Sequence, residues 1–164
     1  MVVREKLVTD LHDSPKGGVF THGATWGGHP VSTAVAMANI NAMREEKVLE
    51  HVPAEGPRLF AALNSVKNAH HCVKDVRGTG FFYAGEFMAE GRGGRELTET
   101  ESLKVLREVL PEASRRTNVR LRGDDRGATM LMISPPLVAD HHVLSERLHG
   151  VDAILADIEK ALQH

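Results

Sequence analysis

The chain has 164 residues, enough for one domain, or one domain with a piece of another, to bury roughly 68–70% of its unfolded surface without a disulfide or metal staple. Its 41% hydrophobic and 26% charged residues are those of a soluble globular protein, and a formal charge of −2 argues against broad attraction to nucleic acid or anionic membrane. Cys72 is the only cysteine, the opening MVVREKLV has no leader-like apolar run, and no stretch approaches the ~20 apolar residues of a membrane span, so a reducing cytoplasm is expected.

Taken in order, Val2-Val3 reads as the end of a strand with nothing before it to pair with. Arg4 to Leu11 is expected to be a short helix, and Asp13-Ser14-Pro15-Lys16-Gly17-Gly18 a loop. Proline loses no needed hydrogen bond at a first helical position, so a helix is expected from Pro30 to about Glu46. Its Val31, Ala34, Val35, Ala38 and Ala42 recur at helical spacing, and such small residues predict a helix packed closely on a neighbour. A second helical segment follows Pro53, with Leu59, Phe60 and Leu63.

From Cys72 onward the pattern becomes strand-like: Val73 to Arg77 and Phe81 to Met88 are joined by Gly78-Thr79-Gly80. Gly91-Arg92-Gly93-Gly94 reads as a flexible exposed loop. Thr98-x-x-Glu101 has the spacing of a capping box, opening a helix to about Arg116 with Leu103, Leu106, Val109 and Leu110 inward and a kink possible at Pro111. Two further strands are expected at Asn118–Arg122 and Thr129–Ser134, the second ended by Pro135-Pro136. A last helix from about Asp140 carries an apolar stripe through Leu144, Leu148, Val151, Leu155, Ile158 and Leu162. This order predicts a small α+β layer, helices on one face of a largely antiparallel sheet.

The densest chemical signal is Phe20-Thr21-His22-Gly23-Ala24-Thr25-Trp26-Gly27-Gly28-His29-Pro30. A glycine-rich loop feeding a helix N-terminus presents unpaired amides and the positive end of the helix dipole, a place that favours phosphate. The Thr25 hydroxyl could add a hydrogen bond to such a group. On chemistry alone, a plain helix-capping loop is the commoner outcome.

That segment resembles class III aminotransferases of fold type I, the family of ω-amino acid, ornithine and 4-aminobutyrate aminotransferases. Three later stretches are similar to the same family in the same order: Asp75-Val76-Arg77-Gly78-Thr79-Gly80-Phe81-Phe82, Val119 to Gly127, and Ile133-Ser134-Pro135-Pro136-Leu137. The resemblance implies an α/β chain composed of the C-terminal small α+β domain, residues 49–164, and a remnant of the large domain with an interdomain helix, residues 1–48. It implies pyridoxal 5′-phosphate (PLP) as cofactor, a homodimer, and amino transfer between an amine or amino acid and a keto acid or aldehyde. The residue matching Thr25 would reach the PLP phosphate of the other subunit, with the Ala24 amide beside it. Alanine departs here from the family's frequent larger residue, which removes side-chain contact but keeps the amide.

Arg122 matches the arginine that pairs with a substrate carboxylate, a task suited to a planar guanidinium. Arg126 is its rival, and a solvated arginine in a hairpin with Asp124 and Asp125 is the plainer alternative. The lysine that holds the cofactor would precede this chain, since none of Lys6, Lys16, Lys47, Lys67, Lys74, Lys104 and Lys160 stands in its context. No catalytic residue is therefore expected here, and the chain alone is expected to be inactive or to act as a binding and dimerisation module. His70-His71-Cys72, Asp124-Asp125 and His141-His142 lack the spacing of metal ligands, so no metal is expected.

Overall fold

The computed structural model describes residues 4–12 and 23–163. The strand reading of Val2-Val3, the loop Asp13–Gly18 and the segment Phe20-Thr21-His22 fall outside them. The chain divides into two units, Met1–Ala42 and Met43–His164.

In the first unit, helix α1 spans Glu5–His12, and α2 begins at Pro30 and runs to Glu45, past the unit boundary. The expectation of a closely packed α2 is overturned: none of its residues is buried, and Val31, Val35, Met37 and Ile40 are all exposed. Small side chains allow a close neighbour, but among the described residues these positions stay exposed.

Helix α3 (Val48–Ala69) starts earlier than Pro53 and takes both Pro53 and Pro57 into its interior. What separates it from α2 is Lys47, whose φ of 52° is left-handed. Strand β1 (Val73–Thr79) and strand β2 (Phe82–Phe87) form an antiparallel hairpin with Thr79 opposite Phe82. Gly80 at the turn has φ +58°, and Gly78 has φ +154° with the Phe82 carbonyl where a Cβ would stand, 2.1 Å away. Both places therefore need glycine. A bulge between Val73 and Asp75 lets Val73 and Val76 both reach the core, although three residues separate them. Gly91 to Gly94 is a tight turn closed by Gly94 N–H to the Gly91 carbonyl at 3.0 Å, with Arg92 bonded to the Lys67 carbonyl.

The capping box forms as spaced: the Glu101 amide donates to Thr98 Oγ1 at 3.3 Å, and the Thr98 amide to Glu101 Oε2 at 2.7 Å. The helix it opens is one run in three parts, α4 (Glu99–Leu103), a π-helical stretch (Lys104–Val109) and α5 (Leu110–Thr117). The wider π turn lies just before Pro111, which lacks an N–H for a regular ladder. Asn118, at φ 53°, ends the helix, so the next strand is shorter and later than expected: β3 is Arg122–Asp124 and β4 is Met130–Ile133. Helix α6 (His141–Leu162) is capped by Asp140, whose carboxylate accepts from the Val143 amide at 2.9 Å.

The sheet has the order β1-β2-β4-β3, antiparallel throughout. Its inner face presents Tyr83, Phe87 and Leu131 to Leu59 and Leu63 of α3, Val105 of the π stretch and Ile154 and Ile158 of α6. This is the expected α/β class with a small antiparallel sheet. Among the described residues, no helix is long and apolar enough to cross a membrane.

Candidate functional site

Residues Thr25 to Gly28 form a turn leading into α2, tied by the Gly27 amide to the Ala24 carbonyl at 2.9 Å and the His29 amide to the Trp26 carbonyl at 3.1 Å. Gly28, at φ +78°, turns the chain toward Pro30. The Trp26 ring stands edge-on to His29, with centroids 5.2 Å apart, and is 70% exposed. Ala24 and Thr25 are exposed as well. Among the described residues, the Thr25 hydroxyl and the Ala24 and Thr25 amides have no hydrogen-bond partner. Thr33, by contrast, turns its hydroxyl back to the Pro30 carbonyl at 2.9 Å. The turn thus closes on itself through backbone bonds and leaves a hydroxyl and two amides outward.

Arg122 belongs to the second unit, at the start of β3 and opposite Met132 of β4, with its side chain exposed. Arg126 is committed to Asp124: its Nε donates to Oδ1 at 3.0 Å, its Nη2 to Oδ2 at 2.5 Å, and its amide also meets Oδ1 at 3.0 Å. These bonds, with the charge of Arg122 as the last contribution, hold the Asp124 carboxyl well below the usual carboxylate range. Arg122 acts on Asp124 through its charge alone and, among the described residues, makes no hydrogen bond or close ion pair with a carboxylate. Ala24 and Thr25 therefore share one turn, while Arg122 sits on the sheet edge of the other unit.

Two charged clusters were not anticipated. Glu86, buried on β2, accepts from Lys74 Nζ at 2.7 Å and Arg77 Nη1 at 2.6 Å, and these two cations hold its carboxyl below its usual range. The signal was one acid inside an apolar strand, with Lys74 and Arg77 on the preceding strand, whose Asp75 is its register partner. His70 is buried between Asp152, at 2.9 Å from Nε2, and Glu159, at 3.2 Å from Nδ1. Glu159 also accepts from the His71 and Cys72 amides, at 2.6 and 3.2 Å. Burial, then the Glu159 charge, pushes the Cys72 thiol up to about 12, which leaves it an inert packing residue. Among the described residues, no three His, Cys, Asp or Glu side chains are grouped as metal ligands.

The model of the class III aminotransferases matches residues 1–155. A putrescine–pyruvate aminotransferase of Pseudomonas aeruginosa is 36% identical over 147 residues, covering 89% of this chain and 30% of the relative. A probable aminotransferase of Mycobacterium tuberculosis is 32% identical over 139 residues, 85% of this chain and 29% of its own. Among solved structures, a transaminase from the marine bacterium Virgibacillus superimposes with a TM-score of 0.73 at 29% identity, over 99% of this chain and 35% of its own. An (S)-enantioselective omega-transaminase from Thermomicrobium roseum gives 0.74 at 25%, over 95% of this chain and 33% of its own. The chain spans roughly 30% of the length of these curated relatives. Resting on a match that runs through both units, the conclusion is that this chain belongs to the class III aminotransferase family.

Proposed function

We propose that this chain is the C-terminal part of a PLP-dependent aminotransferase, a cytoplasmic homodimer moving an amino group between an amine or amino acid and a keto acid or aldehyde. Residues 1–48 would be the remnant of the large domain, and residues 49–164 the small domain. The observation that carries the reading is the outward Thr25 hydroxyl, with the free amides of Ala24 and Thr25 beside it. These donors fit a phosphate, whereas a loop built only to cap α2 would turn them inward. Thr25 would thus hold the PLP phosphate of the partner subunit, and Ala24 would donate its N–H. Arg122, exposed and bonded to no carboxylate among the described residues, would bind the substrate carboxylate through two parallel N–H···O bonds.

PLP, when bound, supplies an electron sink for the substrate's α-carbon. The lysine needed to hold it must be a nucleophilic amine, and two lysines here are committed elsewhere. Lys74 is tied to Glu86, whose hydrogen bond raises its pKa further, and Lys104 donates to the Ala161 carbonyl at 2.7 Å. Neither of these two is free to hold the cofactor. The exposed apolar side chains of α2 favour a second reading, a non-catalytic binding and dimerisation module.

Borohydride reduction of the chain after incubation with PLP, followed by peptide mapping, separates the readings. The expected result is no single lysine-linked adduct and no amino transfer by the chain alone, with transfer appearing when a complete large domain is supplied. An adduct at one lysine accompanied by turnover would overturn the first expectation. No transfer in the completed assembly would leave the binding module.

A further inference from the structure

A cavity of about 200 Å³ lies wholly within the unit of residues 43–164, between the segment after α5, the end of β4 and helix α6. Its apolar wall includes Leu121, Ile133, Leu144, Leu148 and Val151. Two arginines, Arg120 and Arg147, line the same space, and among the described residues no acidic side chain does. Arg147 is anchored by one N–H to the Asn118 carbonyl at 3.1 Å, which leaves its other donors available. Among the described residues, neither arginine is ion-paired with a carboxylate.

Both arginines line this apolar space, and their positive charge favours an anion there. A guanidinium presents parallel N–H groups that match a carboxylate. The volume holds roughly seven water-sized groups, too small for a drug-sized molecule but enough for a short hydrocarbon tail. We infer that this cavity binds a short-chain aliphatic monocarboxylate, its tail against Leu144, Leu148 and Val151 and its carboxylate on Arg120 and Arg147. The site uses no cofactor, so it stands or falls independently of the aminotransferase reading.

Hexanoate titrated into the full chain, followed by calorimetry, tests the inference, with hexan-1-ol as the uncharged counterpart. The expected result is saturable binding at one site, with a dissociation constant on the order of 1 mM or tighter. Hexan-1-ol should bind at least about tenfold more weakly, because it cannot form the charge-assisted pair. Arg120→Met should weaken hexanoate by about tenfold without changing hexan-1-ol, and Arg120→Lys should recover part of the loss. Leu148→Trp should fill the cavity and abolish binding of both. Hexanoate no tighter than hexan-1-ol, affinity unchanged in Arg120→Met, or no saturation by about 10 mM would each overturn the inference.

Discussion

Arg126 and Arg122 lie on the same hairpin and carry the same charge, but their side chains are differently engaged. Arg126 closes a two-pronged clamp on Asp124, and a guanidinium already gripping one carboxylate must release it before gripping another. Arg122 has no such bond to break, which supports it as the substrate arginine. In an assembly that retains PLP, Arg122→Ala is expected to lower kcat/KM for carboxylate-bearing donors by roughly 10- to 100-fold while changing simple amines little. Equal losses for both substrate classes would remove the carboxylate role. Thr25→Ala is expected to raise the PLP dissociation constant by about tenfold, from one lost hydrogen bond to a charged acceptor, and an unchanged constant would take Thr25 out of the site. Both positions came from resemblance to a family pattern, since a threonine in a glycine-rich turn or an arginine in a charged hairpin looks ordinary by itself. The Asp124–Arg126 clamp was not legible, because nothing in Arg-Gly-Asp-Asp-Arg says which charges meet.

Elements announced by a local chemical device were readable from sequence, and those decided by pairing or by an unusual backbone were not. Thr98-x-x-Glu101 and Asp140 mark helix starts because their side chains bond amides within the next turn. Lys47 hides the break between α2 and α3, because the left-handed residue there is not a glycine. Val119 to Arg122 alternates like a strand, but alternation does not say where a partner strand begins, and β3 pairs only from Arg122. The capping box yields a prediction at this scale. Arg95, then the Thr98 amide, lowers the Glu101 carboxyl from 4.5 to about 2. A carboxylate with a depressed folded pKa contributes stability that is present above its unfolded value and lost as pH falls through the folded one. Glu101→Gln should therefore be less stable than the parent chain at pH 7, and the gap should close as pH falls from about 4.5 toward about 2. Thr98→Ala should cost about 1 kcal/mol at pH 7. Urea midpoints across that range test both, and a gap independent of pH would remove Glu101 from the coupling.

At the scale of the whole molecule, α2 is out of balance with its surroundings. Val31 and Val35 lie on one side of the helix, Met37 and Ile40 on the other, and all four are exposed. A helix apolar on both sides belongs in an interior, because water on either face costs about 25 cal/mol for every Å² of apolar surface. The sequence pattern marked the helix as one packed on a neighbour, whereas in the described residues none of its side chains is buried. If α2 is an interface element, the isolated chain should self-associate at tens of micromolar, with a sedimentation coefficient that rises with concentration. Replacing Val35 and Ile40 together by glutamate keeps good helix formers on the surface and places charge on both sides. The double variant should sediment as a monomer over the same range, with its helical circular dichroism retained. A parent chain monomeric throughout, or a variant that associates as strongly, would show that α2 is not the surface on which copies meet.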